Sequence, residues 1–464
     1  MAERLSIGIA GAGVLGRLLA WRLSRAGHAV TVFDPATGPA APCTGQLGAA
    51  VPYAAGFTAA GMLSPIAELD NAGPEIARLG WRSLALWREV ADTLRAEGCT
   101  APLFAQHGSL MVAHGVDLGA ARRVLARLET APALAAELPA PQPLDRTALA
   151  DLEPALAPGL HAWLLPDEAQ LMPREMLQAL AEHAPDVQWR WGEQVESVQP
   201  GLLKVKGNRS FRFDVAVDVR GVDARDPSAT LPTFSVRAEP VEAPPSSIPQ
   251  TLRQAQGERE FHQTHMPVRG VRGEVIWLHA PGVKLQRPVR LLHPRHRVYI
   301  VPRPGNLFVV GASEIESEDR SPVSLRSAVE LMAAAHSAIP DLAEARIVHM
   351  EANLRPALPD NEPRTHSEPG LLRINGLFRH GWLLAPALVE DALLEMTVKP
   401  RAPEDPHPPS TSSGQAKPLP QAGEGASPHH PTHAAEVSSL PRPSGERVEV
   451  RGTPEQPHEL QRNP

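Results

Sequence analysis

The chain has few cysteines and no long apolar segment, and it carries no excess of positive charge. Cys43 and Cys99 are its only cysteines, which excludes a disulfide framework and a multi-cysteine zinc site. No run of about 18 apolar residues occurs and no apolar leader follows Met1, so we expect a cytoplasmic protein that does not insert into a membrane. The formal net charge of −7 argues against a nucleic-acid partner, because general nucleic-acid binders carry a basic excess.

Aromatic residues are also scarce, at 4% of the chain, whereas proline, with 50 of the 464 residues, is about twice as frequent as usual. Much of the proline falls in two polar segments, residues 227–266 and 400–464, and the second contains no aromatic residue. Such segments bury too little apolar surface to offset the entropy of ordering, so we predict a disordered insertion and a disordered tail. Roughly 360 residues remain, a size typical of a two-domain enzyme.

The rest of the chain alternates between strand-like and helical patterns of apolar residues. An apolar run at 5–10 leads into leucines at helical spacing from 15 to 23, and a second strand pattern covers 29–33. A long amphipathic helix is predicted over 76–94. Three strands and a helix follow, in order at 273–278, 297–301, 307–311 and 325–332. This order predicts an α/β fold, with a Rossmann-like nucleotide-binding domain first and a second, mixed α+β domain.

A glycine motif lies where the first predicted strand turns into the first helix. Gly11, Gly13 and Gly16 form the GxGxxG pattern, and Asp34 follows at the end of the second strand, 18 residues beyond Gly16. The glycines permit a tight turn and close approach of a pyrophosphate, which binds the amide groups at the helix N-terminus. Asp34 can bind ribose hydroxyls, and its charge disfavours NADP. The motif predicts a dinucleotide site without separating NAD from FAD.

Several later blocks carry a family resemblance. They read AAGMLSP at 59–65 with Glu68, YIVPR at 299–303, VVGASE at 309–314, NLRPALPD at 353–360 and FRHGWLLAP at 378–386. Together they resemble the D-amino-acid-oxidase-like flavoproteins, and among these the glycine oxidases of thiamine biosynthesis. Outside the predicted insertion and tail, the blocks span nearly the whole chain.

The resemblance implies bound FAD and two sets of contact residues. Substrate contacts are implied at Arg355, Arg379, Tyr299 and Met62. FAD contacts are implied, besides the three glycines, at Val14, Leu15, Asp34, Pro35, Ala60, Gly61, Met62 and Val195, and at the consecutive residues Leu377, Phe378, Arg379, His380, Gly381, Trp382 and Leu383. We predict no catalytic acid or base and no metal site.

The chemistry of the arginines agrees with the implied substrate contacts. A planar guanidinium binds a carboxylate through two parallel hydrogen bonds, so Arg355 and Arg379 are candidates for holding the carboxylate of an amino acid. Arg290, Arg295 and Arg303 are alternatives by the same chemistry.

Other polar residues have structural interpretations. Glu68 is suited to cap a helix or to pair with an arginine, and His293, His296 and His380 are interpreted as surface or loop residues. Gly381 opens a predicted helix whose N-terminus would stabilise negative charge on the FAD ring.

The resemblance also implies domain boundaries. It assigns residues 1–100, 161–226 and 346–399 to the FAD-binding domain, and 101–160 and 267–345 to the substrate domain. The chain departs from the family pattern by extra residues within 45–57, by bulky residues around Val219, by Asn353 before Leu-Arg-Pro, and by His380 in place of a usual Asn.

The implied function is FAD-dependent oxidation of glycine or a similar small amino acid or amine, with hydride transfer from the α-carbon to the flavin and formation of an imino acid. The alternatives are a D-amino-acid or secondary-amine oxidase or dehydrogenase of the same superfamily, and a flavin-binding protein without activity. The resemblance further implies oxygen as electron acceptor and a homo-oligomer.

Overall fold

The computed structural model describes residues 4–40, 53–135, 138–225, 266–293 and 297–398. The predicted insertion at 227–266, apart from its last residue, and the predicted tail at 400–464 lie outside the described residues. Cys43, Arg295 and His296 also lie outside them.

In the described ranges the strands are β1 (Ser6–Ala10), β2 (Ala29–Asp34), β3 (Met62–Leu63), β4 (Phe104–Ala105), β5 (Ser109–Ala113), β6 (Gln142–Leu144), β7 (His161–Leu165), β8 (Ala169–Leu171), β9 (Gln188–Trp191), β10 (Val195–Gln199), β11 (Leu202–Val205), β12 (Arg209–Arg212), β13 (Val215–Asp218), β14 (Arg269–His279), β15 (Val289–Leu292), β16 (Arg297–Arg303), β17 (Leu307–Gly311), β18 (Arg346–Ala357), β19 (Arg364–Glu368) and β20 (Leu371–Asn375).

The α-helices of the same ranges are α1 (Val14–Arg25), α2 (Pro65–Glu68), α3 (Pro74–Ala96), α4 (Leu118–Leu128), α5 (Ala131–Leu134), α6 (Arg146–Leu152), α7 (Pro173–Glu182), α8 (Leu325–Ala338) and α9 (Gly381–Val398). Short 3₁₀ turns cover Ala55–Phe57, Gly115–Asp117, Gly221–Ala224, Pro340–Glu344 and Phe378–His380. Among the described helices, none is long and apolar enough to cross a membrane. All the helices and strands predicted above are present, with bounds shifted by a few residues.

A six-stranded sheet follows the order β19-β20-β13-β1-β2-β9, and its strands are parallel except for the edge strand β19. The α/β prediction and its parallel sheet at the start of the chain are therefore confirmed. Ala10 at the end of β1 pairs with Phe33 on one side and Asp218 on the other. The carboxyl ends of three neighbouring strands thus meet at one edge, where parallel sheets bind ligands.

An eight-stranded sheet follows the order β18-β14-β17-β16-β15-β5-β7-β6 and is antiparallel except between β15 and β5. One face is covered by α8 over an apolar cluster that includes Ile276, Ile300 and Val310. The alternate residues Val275, Val301 and Val309 lie on the opposite face and pack with Tyr299 and Met62, because side chains alternate along a strand.

Two strands of the eight-stranded sheet come from segments that the family resemblance assigns to the other domain. Strands β7 and β18 belong to the eight-stranded sheet, although residues 161–165 and 346–357 fall in segments assigned above to the FAD-binding domain. The division into domains stays a prediction. The long strand β18 has no counterpart among the predicted strands, because its first half mixes charged and apolar residues without a clear period.

Helices α1, α3 and α9 pack against one another beside the six-stranded sheet. The indole Nε1 of Trp87 donates a hydrogen bond to the carbonyl oxygen of Trp382 over 2.7 Å, which joins α3 to the first turn of α9. Gly80 of α3 lies so close to Leu383 that a Cβ at position 80 would meet its side chain at 2.8 Å. This packing fixes the start of α9 relative to the core.

We expect Leu94→Ala, in the buried face of α3, to destabilise the protein by about 2–5 kcal/mol, because it removes packed apolar atoms and leaves a cavity. Leu94 is 0% exposed, whereas Leu325, at the start of α8, is 82% exposed. Leu325→Ala is therefore the matched control, with an expected change within about 0.5 kcal/mol. Urea denaturation measures both, and equal effects of the two substitutions would contradict this account of the core.

Candidate active site

The glycine motif forms a turn that brings a helix N-terminus to the edge of the six-stranded sheet. Gly11 has φ +102°, a conformation that favours glycine. A Cβ at Gly16 would overlap the carbonyl oxygen of Gly11, so only glycine lets α1 pack this closely against the turn. Gly13 caps α1 without a side-chain hydrogen bond, and the first turn carries no acidic residue. The amide groups of this helix end are the donors that bind phosphate in dinucleotide sites.

Asp34 ends β2 beside this turn. Its carboxylate accepts hydrogen bonds from the amides of Ala12 at 2.6 Å and of Ala36 at 2.9 Å. Burial raises the pKa of Asp34, and the nearby carboxylate of Asp223 raises it further. Both carboxylates line the same cavity, where their negative charge disfavours a phosphate on the ribose.

A cavity of about 1580 Å³ runs from the glycine turn to the face of the eight-stranded sheet that carries Tyr299. It collects most of the predicted contact residues in its wall: Gly11, Gly13, Val14, Leu15, Asp34, Pro35, Ala60, Gly61, Met62, Val195, Tyr299, Arg355, Leu377, Phe378, Arg379, Gly381 and Trp382.

Three predicted contacts lie behind the wall instead, each for a packing reason. Gly16 packs against the turn at Gly11, and Leu383 packs against Gly80. The His380 side chain is only 4% exposed and lies beside Glu68, so the expectation of a surface histidine is wrong, although the residue does lie in a connecting turn. A 3₁₀ turn, Phe378–His380, directs this side chain inwards.

The cavity wall suits a long anionic dinucleotide. A Cβ at Gly13 would meet no atom closer than 3.7 Å, so the turn is open for close approach. Helix α9 begins at Gly381, which lines the cavity, and its first turn has no acidic residue. Two helix N-termini therefore face the cavity. The first fits a diphosphate, and the second fits the electron-rich edge of a flavin ring.

Glu68 is the centre of a buried ion-pair cluster. Its two carboxylate oxygens accept hydrogen bonds from Arg290 and Arg379, each at 2.8 Å, and Nδ1 of His380 lies 3.4 Å away. Burial would raise the pKa of Glu68, but the two guanidinium groups outweigh it and hold this pKa well below its usual range. Glu68 is thus ionised, and it pairs with arginine as one of the two interpretations above expects.

A second buried carboxylate, that of Glu168, holds the short helix that carries Glu68. It accepts hydrogen bonds from the amides of Ile66 at 3.1 Å and Ala67 at 3.2 Å, at the start of α2, and from the hydroxyl of Ser109. Burial raises the pKa of Glu168 to about 7.

Arg355 is a buried cation that, unlike the two arginines of that cluster, does not pair with Glu68. Its Nη1 donates to the carbonyl oxygen of Ser313 over 3.1 Å and lies 3.4 Å from that of Arg272. Among the described residues, no carboxylate lies within ion-pair distance of it. Burial lowers the pKa of Arg355, but the group stays charged because the ordinary pKa of an arginine lies far above neutral pH. Its guanidinium lies across Gly273, where a Cβ would overlap it.

The sequence matches a known family over most of its length. Residues 6–391 match the sequence profile of the FAD dependent oxidoreductase family. The chain belongs to this family. A protein of Rhizobium etli named as a thiamine biosynthesis oxidoreductase, ThiO, is 35% identical over 395 residues, which cover 85% of this chain and 97% of that one. The glycine oxidase of Geobacillus kaustophilus is 25% identical over 402 residues, covering 83% and 91%.

Solved structures show the same fold. The crystal structure of the Geobacillus kaustophilus glycine oxidase superposes with a TM-score of 0.65 at 24% identity, covering 85% of this chain and 95% of that one. The iminodiacetate oxidase of a Chelativorans species gives 0.65 at 22% identity, covering 85% and 96%. The predicted family and cofactor are therefore confirmed: the protein is an FAD-dependent oxidoreductase.

Within this family fold, the other candidate arginines have partners. Arg379 pairs with Glu68 and lies 3.3 Å from Glu314. Arg290 pairs with Glu68, and Arg303 donates to Gln170 at 2.9 Å and to the carbonyl of Ala60. Arg303, like Arg355, has only carbonyl oxygens as hydrogen-bond partners in the described ranges, but it does not line the cavity. Of the described candidate arginines, Arg355 is the one that both lines the cavity and has no carboxylate partner in those ranges.

Asn353 departs from the family pattern, and the sequence predicts no role for it. Its amide Nδ2 donates to Thr58 Oγ1 over 3.1 Å and to the carbonyl of Tyr53 over 3.2 Å, and all three residues line the cavity. A polar side chain two residues before Arg355, on the same face of β18, was the available signal.

The buried His380 predicts a pH dependence of stability. Burial lowers its pKa to about 4, from 6.5 in the unfolded chain. As the pH falls, His380 therefore takes up a proton in the unfolded chain before it does so in the folded protein. The free energy of unfolding decreases between these two pKa values. Between about pH 7.5 and pH 5, we expect the free energy of unfolding of the unsubstituted protein to fall by about 2 kcal/mol more than that of His380→Asn. Urea denaturation at the two pH values measures both. Equal losses in both proteins would show that the histidine is accessible to protons.

Proposed function

We propose that the protein oxidises glycine, or another amino acid or amine of similar size, to the imino acid. The observation that carries this proposal is the buried Arg355, whose guanidinium lines the cavity and has carbonyl partners but no carboxylate partner in the described ranges. A buried cation without a counter-ion is a strong site for a substrate carboxylate, because the interaction is little screened by water. The name of the Geobacillus kaustophilus relative, a glycine oxidase, supports a small amino acid.

Positioning is the main contribution of the chain to this reaction. When bound, FAD supplies the two-electron acceptor for the hydride that leaves the α-carbon. Arg355 would hold the substrate carboxylate, with Tyr299 beside it in the same wall. Met62, Tyr299 and Ala312 pack against a buried apolar cluster that includes Val275, so the wall around Tyr299 is largely apolar. A substrate fixed in this way presents its α-hydrogen in one orientation.

No buried base is needed if the substrate loses its ammonium proton on binding. The positive charge of Arg355 and the neighbouring Arg379 favours a neutral amine over an ammonium group. The substrate then loses a hydride from carbon and a proton from nitrogen, and water converts the imino acid to an oxo acid and ammonia. Glu68, a buried carboxylate of the cavity wall, is occupied by Arg290 and Arg379, so we propose no proton-transfer role for it.

The direct test is anaerobic reduction of the purified, FAD-loaded protein by small amines, followed by absorbance near 450 nm. We expect glycine to bleach the yellow colour. Bleaching by sarcosine or D-alanine but not by glycine would favour a secondary-amine or D-amino-acid enzyme instead. Absence of bleaching with every amine would overturn the proposal in favour of a flavin-binding protein without activity. Peroxide release on admitting air would identify oxygen as the acceptor.

The proposed carboxylate site can be tested without turnover. Gly273→Ala places a Cβ where the Arg355 guanidinium lies, so we expect acetate or glycolate to bind about tenfold or more weakly while FAD is retained. Perturbation of the FAD absorbance by the added acid measures the dissociation constant. Gly282→Ala is the control, since a Cβ there would meet nothing within 4 Å. Unchanged acid binding in Gly273→Ala would exclude Arg355 as the carboxylate ligand.

A further inference from the structure

Arg17 is a fully buried arginine that neither the glycine motif nor the family resemblance singles out. It lies in the first half of α1, one residue after Gly16, and is 1% exposed. Its Nε donates to the carbonyl oxygen of Ala12 over 2.8 Å, and its Nη1 donates to those of Pro39 and Leu177, each over 2.7 Å. The planar group thus uses its fork of donors on three separate segments of backbone.

Two aromatic rings complete the environment of this guanidinium. Its central carbon lies 5.2 Å from the ring centre of Phe57 and 5.2 Å from that of Trp191. Both distances fall in the range in which a cation is attracted to the face of a ring. Phe57 closes the 3₁₀ turn at Ala55–Phe57, and Trp191 ends the edge strand β9.

The segments that Arg17 joins form the wall of the cavity around the glycine turn. Ala12 lies between the cavity-lining residues Gly11 and Gly13. Pro39 follows Asp34 and Pro35, and Phe57 follows Ala54, Ala55 and Gly56, all of which line the cavity. Removing Arg17 would leave the carbonyl oxygens of Ala12 and Pro39 without this donor. It would also remove the cation–π contacts with Phe57 and Trp191.

The charge of Arg17 also lies beneath the dinucleotide site. Burial lowers the pKa of Arg17 to about 10, while the carboxylate of Asp34 raises it, so the group is protonated at neutral pH. No carboxylate in the described part of the chain lies within ion-pair distance of the guanidinium. A buried cation that is stabilised mainly by carbonyl dipoles gains from any anion that binds nearby.

We infer that Arg17 is a positioning residue for FAD. It fixes the glycine turn against residues 35–40 on one side and 53–57 on the other, and its charge favours the diphosphate. The inference concerns only the cofactor. It is independent of which amine the enzyme oxidises and of the role proposed for Arg355.

The test compares Arg17→Met, Arg17→Lys and Arg22→Met in the full-length protein after removal of FAD. Arg22 lies on the same helix and pairs at the surface with Glu89 and Glu390, so its variant controls for loss of an arginine from α1. FAD titration followed by flavin fluorescence gives the dissociation constants. We expect Arg17→Met to bind FAD at least about tenfold more weakly, Arg17→Lys to show an intermediate loss, and Arg22→Met to stay within about twofold.

A second measurement separates positioning from general stability. The free energy by which FAD stabilises the folded chain increases with the logarithm of its affinity. Arg17→Met should therefore narrow the gap between the thermal midpoints of the FAD-loaded and FAD-free protein. ADP should lose more affinity for this variant than adenosine does, because only ADP carries the diphosphate. Equal lowering of both midpoints with an unchanged FAD dissociation constant would overturn the inference. If Arg17→Met does not fold, an unchanged constant in Arg17→Lys overturns it.

Discussion

The buried carboxylate of Glu68 is the constraint on which the geometry of the substrate side depends. It joins helix α2 to Arg290 in the eight-stranded sheet and to Arg379 in the turn before α9. A buried carboxylate is stable only when it is paired, so these three parts of the chain cannot separate without exposing an uncompensated charge. Glu168 adds a second restraint, since it holds the start of α2 through two backbone amides. The position of Arg379 is therefore set by an element far away in sequence.

The same pairing decides which positive charge is available to a ligand. Arg290 and Arg379 share the charge of Glu68, and Arg379 also lies close to Glu314. Arg355 and Arg17 are held by backbone carbonyls instead. Carbonyl oxygens satisfy the donors of a guanidinium without neutralising its charge. Arg17, behind the glycine turn, and Arg355, beside Tyr299, thus keep their positive charge without a carboxylate partner in the described ranges. Their positions suit the two anionic groups of a flavoenzyme complex, a diphosphate and a carboxylate.

Two glycines of the site allow segments of the chain to pack unusually close together. Gly16 and Gly273 both lack a Cβ because a neighbouring group occupies that space: the carbonyl of Gly11 in one case and the guanidinium of Arg355 in the other. Gly16 belongs to a motif whose spacing has a known physical meaning. Gly273 sits inside an ordinary strand pattern, so its role is visible only once β18 is paired with β14.

Apolar periodicity and the glycine motif are local signals, so the sequence by itself determined the opening β-α-β unit and a dinucleotide site. The FAD and its contact residues were implied by the family resemblance, and most of those contact residues lie in the cavity wall. The sequence assigned Arg355 and Arg379 similar roles, and it placed His380 in a surface or loop position. Only the tertiary structure showed that Arg379 has a carboxylate partner, that Arg355 has none in the described ranges, and that His380 is buried. Whether a buried charge is paired depends on which groups lie within a few ångströms of it after folding. Glu68 meets its partners across more than 200 residues of chain, and no local pattern records such a contact. Arg17 remained hidden for the same reason: four of its five partners come from segments distant in sequence, and only Ala12 is a near neighbour.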